Sequence, residues 1–168
     1  MTLYVRTEAP GDAHAVARVV ARAFEGGDEA AVAEVDLVEA LRRDRAWLPA
    51  LSLVAVSDRE VVGHVLGSRM LVGASPAVAL APVSVLPAQQ GQGIGTAMVE
   101  RLLAEARSTG ETLVVVLGDP AYYSRFGFRQ AADLGVIGPY TGEAFQALPL
   151  AADPPVGDAA YPHPFSAV

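Results

Sequence analysis

The chain of 168 residues contains no cysteine, no lysine and no asparagine, so all twelve of its basic residues are arginine. Without cysteine it cannot form a thiolate nucleophile, a disulfide framework, a cysteine-ligated zinc site or an iron–sulfur cluster. Without lysine it cannot form a Schiff base or the lysine-containing phosphate loop of nucleoside-triphosphate-binding proteins. The three histidines, His14, His64 and His163, lie too far apart in sequence to indicate a metal site, and none is predicted.

Basic charge is also scarce, since 19 acidic and 12 basic side chains give a formal net charge of −7. This balance disfavours nucleic-acid binding, which relies on a basic surface that displaces counterions. A hydrophobic fraction of 52% with 18% charged residues is typical of a folded globular domain. No 18-residue apolar stretch is free of charges and prolines, and residues 1–10 do not resemble a signal peptide. We therefore expect a cytoplasmic protein with no membrane partner.

The hydrophobic pattern predicts one domain over residues 1–168, without internal repeats or linkers. It predicts a strand, two helices, three strands, a helix at Thr96–Ser108, a buried strand at Thr112–Leu117, a short helix and a further strand. This order is typical of an α/β (α+β) fold with a mixed sheet and helices on both faces. Residues 133–168 are rich in proline, but Ala144–Leu150 alternates like a strand, so we expect this segment to wrap the domain.

A glycine-rich loop from Gln89 to Gly95 joins the predicted buried strand Val78–Leu86 to the next helix. Glycine permits positive φ and has no Cβ, so successive backbone N–H groups can converge on a ligand. The start of the following helix adds unpaired N–H groups and the positive end of its dipole. The spacing favours a phosphate or pyrophosphate site over a turn that binds nothing. A dinucleotide fingerprint is incomplete, because Thr96 stands at its last glycine position.

Two segments carry a resemblance to a known family. The loop matches the pattern Q/R-x-x-G-x-G/A at Gln90, Gly93 and Gly95, and Tyr123–Phe128 matches Y-x-x-x-G-F. In this order, with a buried strand between them, they resemble the GNAT superfamily of acyl-CoA-dependent N-acetyltransferases, most similarly its YhbS-like branch. The resemblance covers at least Leu51–Ala132. It implies a mostly antiparallel sheet in which two parallel strands splay apart to admit the cofactor.

The resemblance implies acetyl-CoA as co-substrate, with no metal. Main-chain groups of Val83 and Val85 would pair with the pantetheine arm. A backbone N–H near Val85 would also stabilise the tetrahedral oxyanion. Tyr123 corresponds to the family's general-acid tyrosine, which protonates or hydrogen-bonds the departing CoA sulfur; Tyr122 is expected to pack. The pyrophosphate would be held by the loop and the hydroxyl after it, that is by Gln90, Gly91, Gln92, Gly93, Gly95 and Thr96.

The proton acceptor and the amine site are less well defined. Strand 79–85 carries no carboxylate, Ser84 is too weak a base alone, and His64 is a candidate although lone strand histidines are more often structural. A water relay is the favoured expectation. Six acids and no basic residue occur between positions 25 and 41. A solvated helix face is the favoured interpretation of these acids; the alternative is an acidic rim at Glu25, Asp28 and Glu29 that would attract a cationic amine.

The favoured function is therefore an acetyl-CoA-dependent N-acetyltransferase acting on an amine of a small molecule, peptide or protein by direct attack on the thioester. The alternative is a non-catalytic acyl-CoA-binding regulatory module, which the missing strand carboxylate favours weakly and the retained Tyr123 opposes. A transferase with another acceptor atom or acyl group would share the same loop. The resemblance also allows a homodimer.

Overall fold

The computed structural model describes residues 2–24 and 28–167, which form nine strands and four α-helices in those ranges. The helices are α1 (Ala13–Ala23), α2 (Asp28–Arg42), α3 (Ile94–Ser108) and α4 (Pro120–Tyr123). The strands are β1 (Leu3–Thr7), β2 (Trp47–Ser57), β3 (Glu60–Val72), β4 (Ser75–Val85), β5 (Leu113–Leu117), β6 (Arg129–Gln130), β7 (Val136–Ile137), β8 (Phe145–Pro149) and β9 (Gly157–Ala160). The predicted elements are present, but β6 is shorter than its apolar pattern suggests.

The strands form one mixed sheet in the order β1-β2-β3-β4-β5-β8-β6, and β9 pairs with the end of β3 and with β7. Neighbours along the main path are antiparallel except for β4 and β5. The prediction of a mixed, mostly antiparallel sheet containing one parallel pair is therefore confirmed. The parallel pair requires a crossover connection, which α3 supplies between β4 and β5.

Helices cover both faces of the sheet, as predicted. A Cβ at Gly63 on β3 would lie 2.9 Å from the terminal methyl of Met98, so this face packs against α3. The next residue, His64, points to the other face because successive strand residues alternate. There its Nε2 lies 3.9 Å from a Glu8 carboxylate oxygen, and Glu8 is ion-paired with Arg42 of α2. No helix within residues 2–24 or 28–167 is both long and apolar enough to cross a membrane.

The parallel strands separate halfway along their length. Val78–Leu80 of β4 pairs with Val114–Val116 of β5, and the described part of β5 makes no pair with β4 beyond this point. Against β3, strand β4 contains one extra residue: Val65 pairs with Val83, but Gly67 pairs with Leu80. This bulge bends β4 away from its neighbour. A gap therefore opens beside the last residues of β4.

The segment after position 133 packs on the domain within its described part. Strand β8 pairs with β5 along all five residues. Leu113 of β5 is opposite Pro149 at one end, and Leu117 is opposite Phe145 at the other. The chain then passes through β9 to a final 3-10 turn, where Phe165 packs against both hydrophobic cores. The proline-rich segment thus supplies a strand paired on both sides within the sheet as well as a cover for the core.

Candidate active site

The gap between β4 and β5 opens into a groove of about 500 Å³. Most of the residues predicted to hold the cofactor line it together with Tyr123: Val83, Val85, Gln90, Gly91, Gly93, Gly95 and Thr96. Gln92 was also predicted to hold the cofactor, but this residue is exposed on the loop and does not line the groove. Four lining residues were not predicted: Gln89, Ile94, Tyr122 and Arg125.

The glycine loop has the backbone conformation that its composition predicts. Gly91 and Gly93 have φ values of +78° and +81°, a left-handed region that disfavours other residues. Gly93 precedes α3, which begins at Ile94, two residues earlier than its predicted start. Because the first N–H groups of a helix have no intrahelical partners, this turn can donate to an anion at the groove.

The last residues of β4 present their backbone to the groove. The Leu86 N–H donates to the Val62 carbonyl of β3 at 2.9 Å. Since hydrogen-bonding directions alternate along a strand, the backbone groups of Val83 and Val85 point away from β3 into the gap. The Gln90 side-chain amide donates to the Val85 carbonyl at 3.0 Å, which ties the loop to the strand. The Val85 N–H is therefore the group of that residue presented to a ligand.

Tyr123 lies in a tight aromatic cluster at the groove. Its ring centroid is 5.0 Å from that of Tyr122 and 5.6 Å from that of Phe128. Gly118 makes room for the ring, since a Cβ at that position would lie 2.5 Å from Cε2 of Tyr123. Burial, with a smaller effect of Tyr122, raises the pKa of Tyr123 to about 12. The hydroxyl is consequently protonated, and so available as a donor, at neutral pH.

Tyr122 does more than pack, which was its expected role. Its hydroxyl is hydrogen-bonded to the Thr96 hydroxyl at 3.0 Å and joins α4 to the first turn of α3. Its carbonyl accepts a hydrogen bond from Nε of Arg125 at 2.9 Å, and the guanidinium lies 4.4 Å from its ring centroid. The only signal in the sequence for this role was that two tyrosines are adjacent. The hydrogen bond itself joins residues 26 positions apart and leaves no local sequence pattern.

Neither side chain considered as a base reaches the groove. His64 is fully buried on the α2 face, where Nε2 lies 3.1 Å from the Ser52 hydroxyl. Burial, and to a lesser degree Arg42, lowers the pKa of His64 to about 3. Ser84 is buried and alternates with the groove-lining Val83 and Val85. Among residues 2–24 and 28–167, no carboxylate lines the groove, which leaves a water relay as the expectation.

The predicted acidic rim is only partly covered by the structure. Glu25 lies outside the described residues, Asp28 is the first residue of α2, and Glu29 is exposed in its first turn. Their role in binding an acceptor stays a prediction. Across the described ranges, no cluster of three or more histidine, cysteine, aspartate or glutamate side chains could hold a metal ion.

Similarity to known proteins extends over the same elements. A profile of the acetyltransferase (GNAT) family matches residues 14–128, which include α1 to α4 and the whole groove. The chain belongs to the GNAT family. The matched range contains both the glycine loop and Tyr123, so the resemblance inferred from two short motifs is confirmed over most of the chain.

Two Escherichia coli K12 proteins named as N-acetyltransferases are similar in sequence. The uncharacterised N-acetyltransferase YhbS is 38% identical over 156 residues, covering 90% of this chain and 89% of YhbS. The uncharacterised N-acetyltransferase YjhQ is 38% identical over 134 residues, covering 77% of this chain and 71% of YjhQ. The expected similarity to the YhbS-like branch is thereby confirmed.

Two solved structures of this GNAT family share the fold. A GNAT acetyltransferase from Brucella melitensis, in complex with acetyl-CoA, superposes with a TM-score of 0.82 at 38% identity, covering 98% of each chain. Escherichia coli YhbS in complex with CoA superposes with a TM-score of 0.87 at 35% identity, covering 98% of this chain and 92% of YhbS. The fold prediction is confirmed, and both relatives were crystallised with the type of cofactor expected for this chain.

Proposed function

We propose that this GNAT-family acetyltransferase binds acetyl-CoA in the β4–β5 groove and transfers the acetyl group directly to an amine. The observation that carries the proposal is the convergence in one groove of three features. These are the backbone edge at Val83 and Val85, the glycine loop with the start of α3, and the Tyr123 side chain. Acetyl-CoA and CoA in the two structural relatives support the same cofactor.

The groove suits the successive parts of acetyl-CoA. The amides of the pantetheine arm would pair with Val83 and Val85 in the manner of an added strand. The diphosphate would lie at Gly91, Gly93 and the first turn of α3, where backbone N–H groups and the helix dipole favour an anion. Tyr122 holds the Thr96 hydroxyl at this position through their 3.0 Å hydrogen bond. The cofactor would thus be bound mainly by backbone groups.

In the proposed reaction, the nitrogen lone pair of a neutral amine attacks the thioester carbonyl carbon. A C–N bond forms, and the carbonyl oxygen becomes an oxyanion that accepts a hydrogen bond from the Val85 N–H. Collapse of this intermediate re-forms the C=O bond and breaks the C–S bond. The Tyr123 hydroxyl donates its proton to the departing CoA sulfur, the attacking amine releases its proton to water, and the tyrosine is reprotonated from water. A phenol with a pKa of about 12 is protonated for this role across the physiological range.

We further propose an amine of a small molecule or of a peptide as the acceptor. Cationic amines would be attracted by the acidic segment that contains Glu25, Asp28 and Glu29. Neutralising the three together should raise KM for a cationic acceptor and leave KM for a neutral aromatic amine unchanged. Equal KM values for the cationic acceptor in the variant and the wild type would contradict this part of the proposal.

The substitution Tyr123→Phe tests the proposed chemistry, because it removes the hydroxyl and keeps the aromatic packing. We expect kcat to fall by about 100-fold, while the Kd for acetyl-CoA changes little. Release of free CoA thiol from acetyl-CoA, with a panel of amines, measures turnover. Tyr4→Phe is the matched control, since Tyr4 is half exposed on β1 and does not line the groove.

Three results would contradict the proposal. Wild-type turnover in Tyr123→Phe would remove the general-acid role. Binding of acetyl-CoA without thiol release for any amine would favour the non-catalytic acyl-CoA-binding module. No binding of acetyl-CoA would exclude both functions.

A further inference from the structure

Few cationic side chains are available in this protein to bind the phosphates of CoA, because lysine is absent. Many arginines are paired with carboxylates: Arg6, Arg18, Arg42, Arg69 and Arg101. Arg125 and Arg107 form no ion pair with any carboxylate of residues 2–24 and 28–167. Arg125 is also the one cationic side chain among the described residues that line the groove.

Arg125 connects the groove to a second, smaller hollow. This hollow has a volume of about 210 Å³ and lies between α3 and the 3-10 turn Ser124–Phe126. Its lining residues are Glu100, Leu103, Arg107, Arg125 and Phe126. Because Arg125 lines both spaces, its side chain lies between the groove and the hollow.

The position of Arg125 is held by two contacts with Tyr122. Its Nε donates to the Tyr122 carbonyl at 2.9 Å, and its guanidinium lies over the ring at 4.4 Å from the centroid. Nε is occupied, but the terminal NH1 and NH2 groups make no hydrogen bond or ion pair within residues 2–24 and 28–167. A guanidinium fixed in this way loses less conformational entropy when it binds a phosphate, and its planar fork matches phosphate oxygens.

We infer that the small hollow binds the 3′-phosphorylated ribose end of CoA, with Arg125 and Arg107 as the residues that recognise its 3′-phosphate. This inference rests on the proposed use of acetyl-CoA. The diphosphate is already matched by the glycine loop and the start of α3, whereas the 3′-phosphate carries further negative charge and needs its own donors. Two guanidinium groups outweigh the single carboxylate of Glu100 in the hollow.

The test combines a change in the protein with a change in the ligand. Binding of CoA and of dephospho-CoA, which lacks only the 3′-phosphate, is measured by calorimetry for the wild type and for Arg125→Met. We expect the wild type to bind CoA about fivefold to tenfold more tightly than dephospho-CoA. In Arg125→Met this ratio should approach one, with little change in the Kd for dephospho-CoA. Arg107→Met should reduce the ratio in the same direction.

The matched control is Arg129→Met, which removes an equally exposed arginine from β6, outside both spaces. It should leave the CoA to dephospho-CoA ratio at the wild-type value. A further expected result is that added salt weakens CoA binding more than dephospho-CoA binding in the wild type only.

Ligand discrimination separates recognition from structural damage. A distorted groove, or contact of Arg125 with the diphosphate, would weaken both ligands equally and preserve the ratio, which would overturn the inference. An unchanged Kd for both ligands in Arg125→Met would overturn it too. Because no acceptor is needed, the proposed function fails separately: it fails when the wild type does not bind CoA at all.

Discussion

The substitution Gly118→Ala should move the ring of Tyr123 without removing its hydroxyl. A Cβ at position 118 would lie 2.5 Å from Cε2 and 3.0 Å from Cδ2 of Tyr123. Carbon atoms in contact are normally about 3.5–4.0 Å apart. The ring must therefore shift by about 1 Å, since the position of a Cβ is fixed by the backbone and has less freedom to move than the end of a side chain.

The expected effects follow from this displacement. Overpacking of this kind costs about 1–3 kcal/mol of unfolding free energy. A misplacement of about 1 Å in a catalytic group can lower the rate by about 100-fold. We therefore expect kcat to fall by about 10- to 100-fold, with a small change in the Kd for acetyl-CoA, because Gly118 itself does not line the groove.

A double substitution tests whether the effect passes through Tyr123. Steady-state thiol release gives kcat for Gly118→Ala, Tyr123→Phe and the combination. If Gly118→Ala acts through the hydroxyl, it should add little in the Tyr123→Phe background. Gly11→Ala is the matched control, because a Cβ there has no neighbour within 4 Å. The reasoning is refuted by wild-type kcat in Gly118→Ala, or by an equally large loss in both backgrounds.

Two other substitutions probe the hydroxyl pair and the buried histidine. Thr96→Val keeps the side-chain shape but removes the hydrogen bond to Tyr122. It should weaken acetyl-CoA binding about threefold to tenfold in a direct titration. An unchanged affinity would exclude a positioning role for this hydrogen bond. The pKa of His64 is lowered by burial to about 3. The contribution of the neutral His64 to the free energy of unfolding is therefore complete above the unfolded-state pKa of about 6.5. This contribution is lost as the pH falls towards 3, because the unfolded state takes up a proton that the folded state does not. The wild type should lose about 1.5 kcal/mol between pH 6.5 and 5 by urea unfolding, whereas His64→Gln should show a flatter profile, and identical profiles would contradict this assignment.

Local sequence patterns predicted those parts of the candidate site that depend on residues close to one another in the sequence. The glycine loop was predictable because positive φ, as at Gly91 and Gly93, strongly favours glycine as a local property of the backbone. Tyr123 was predictable through its spacing to Gly127. Arg125 and the groove role of Tyr122 were not, because both depend on how α4 packs against α3. Gln92 is exposed and does not line the groove, so its contact with the cofactor stays a prediction.

The sequence by itself determined the order of the elements, the mixed sheet, the position of the glycine loop and the family, since each follows from periodicity, glycine spacing or a short motif. Only the tertiary structure decided where β4 leaves β5, because the bulge appears through pairing with β3. It also decided that His64 is buried away from the groove and that burial raises the pKa of Tyr123 to about 12. These properties depend on burial and on distances between remote segments, which packing of the helices on the sheet sets.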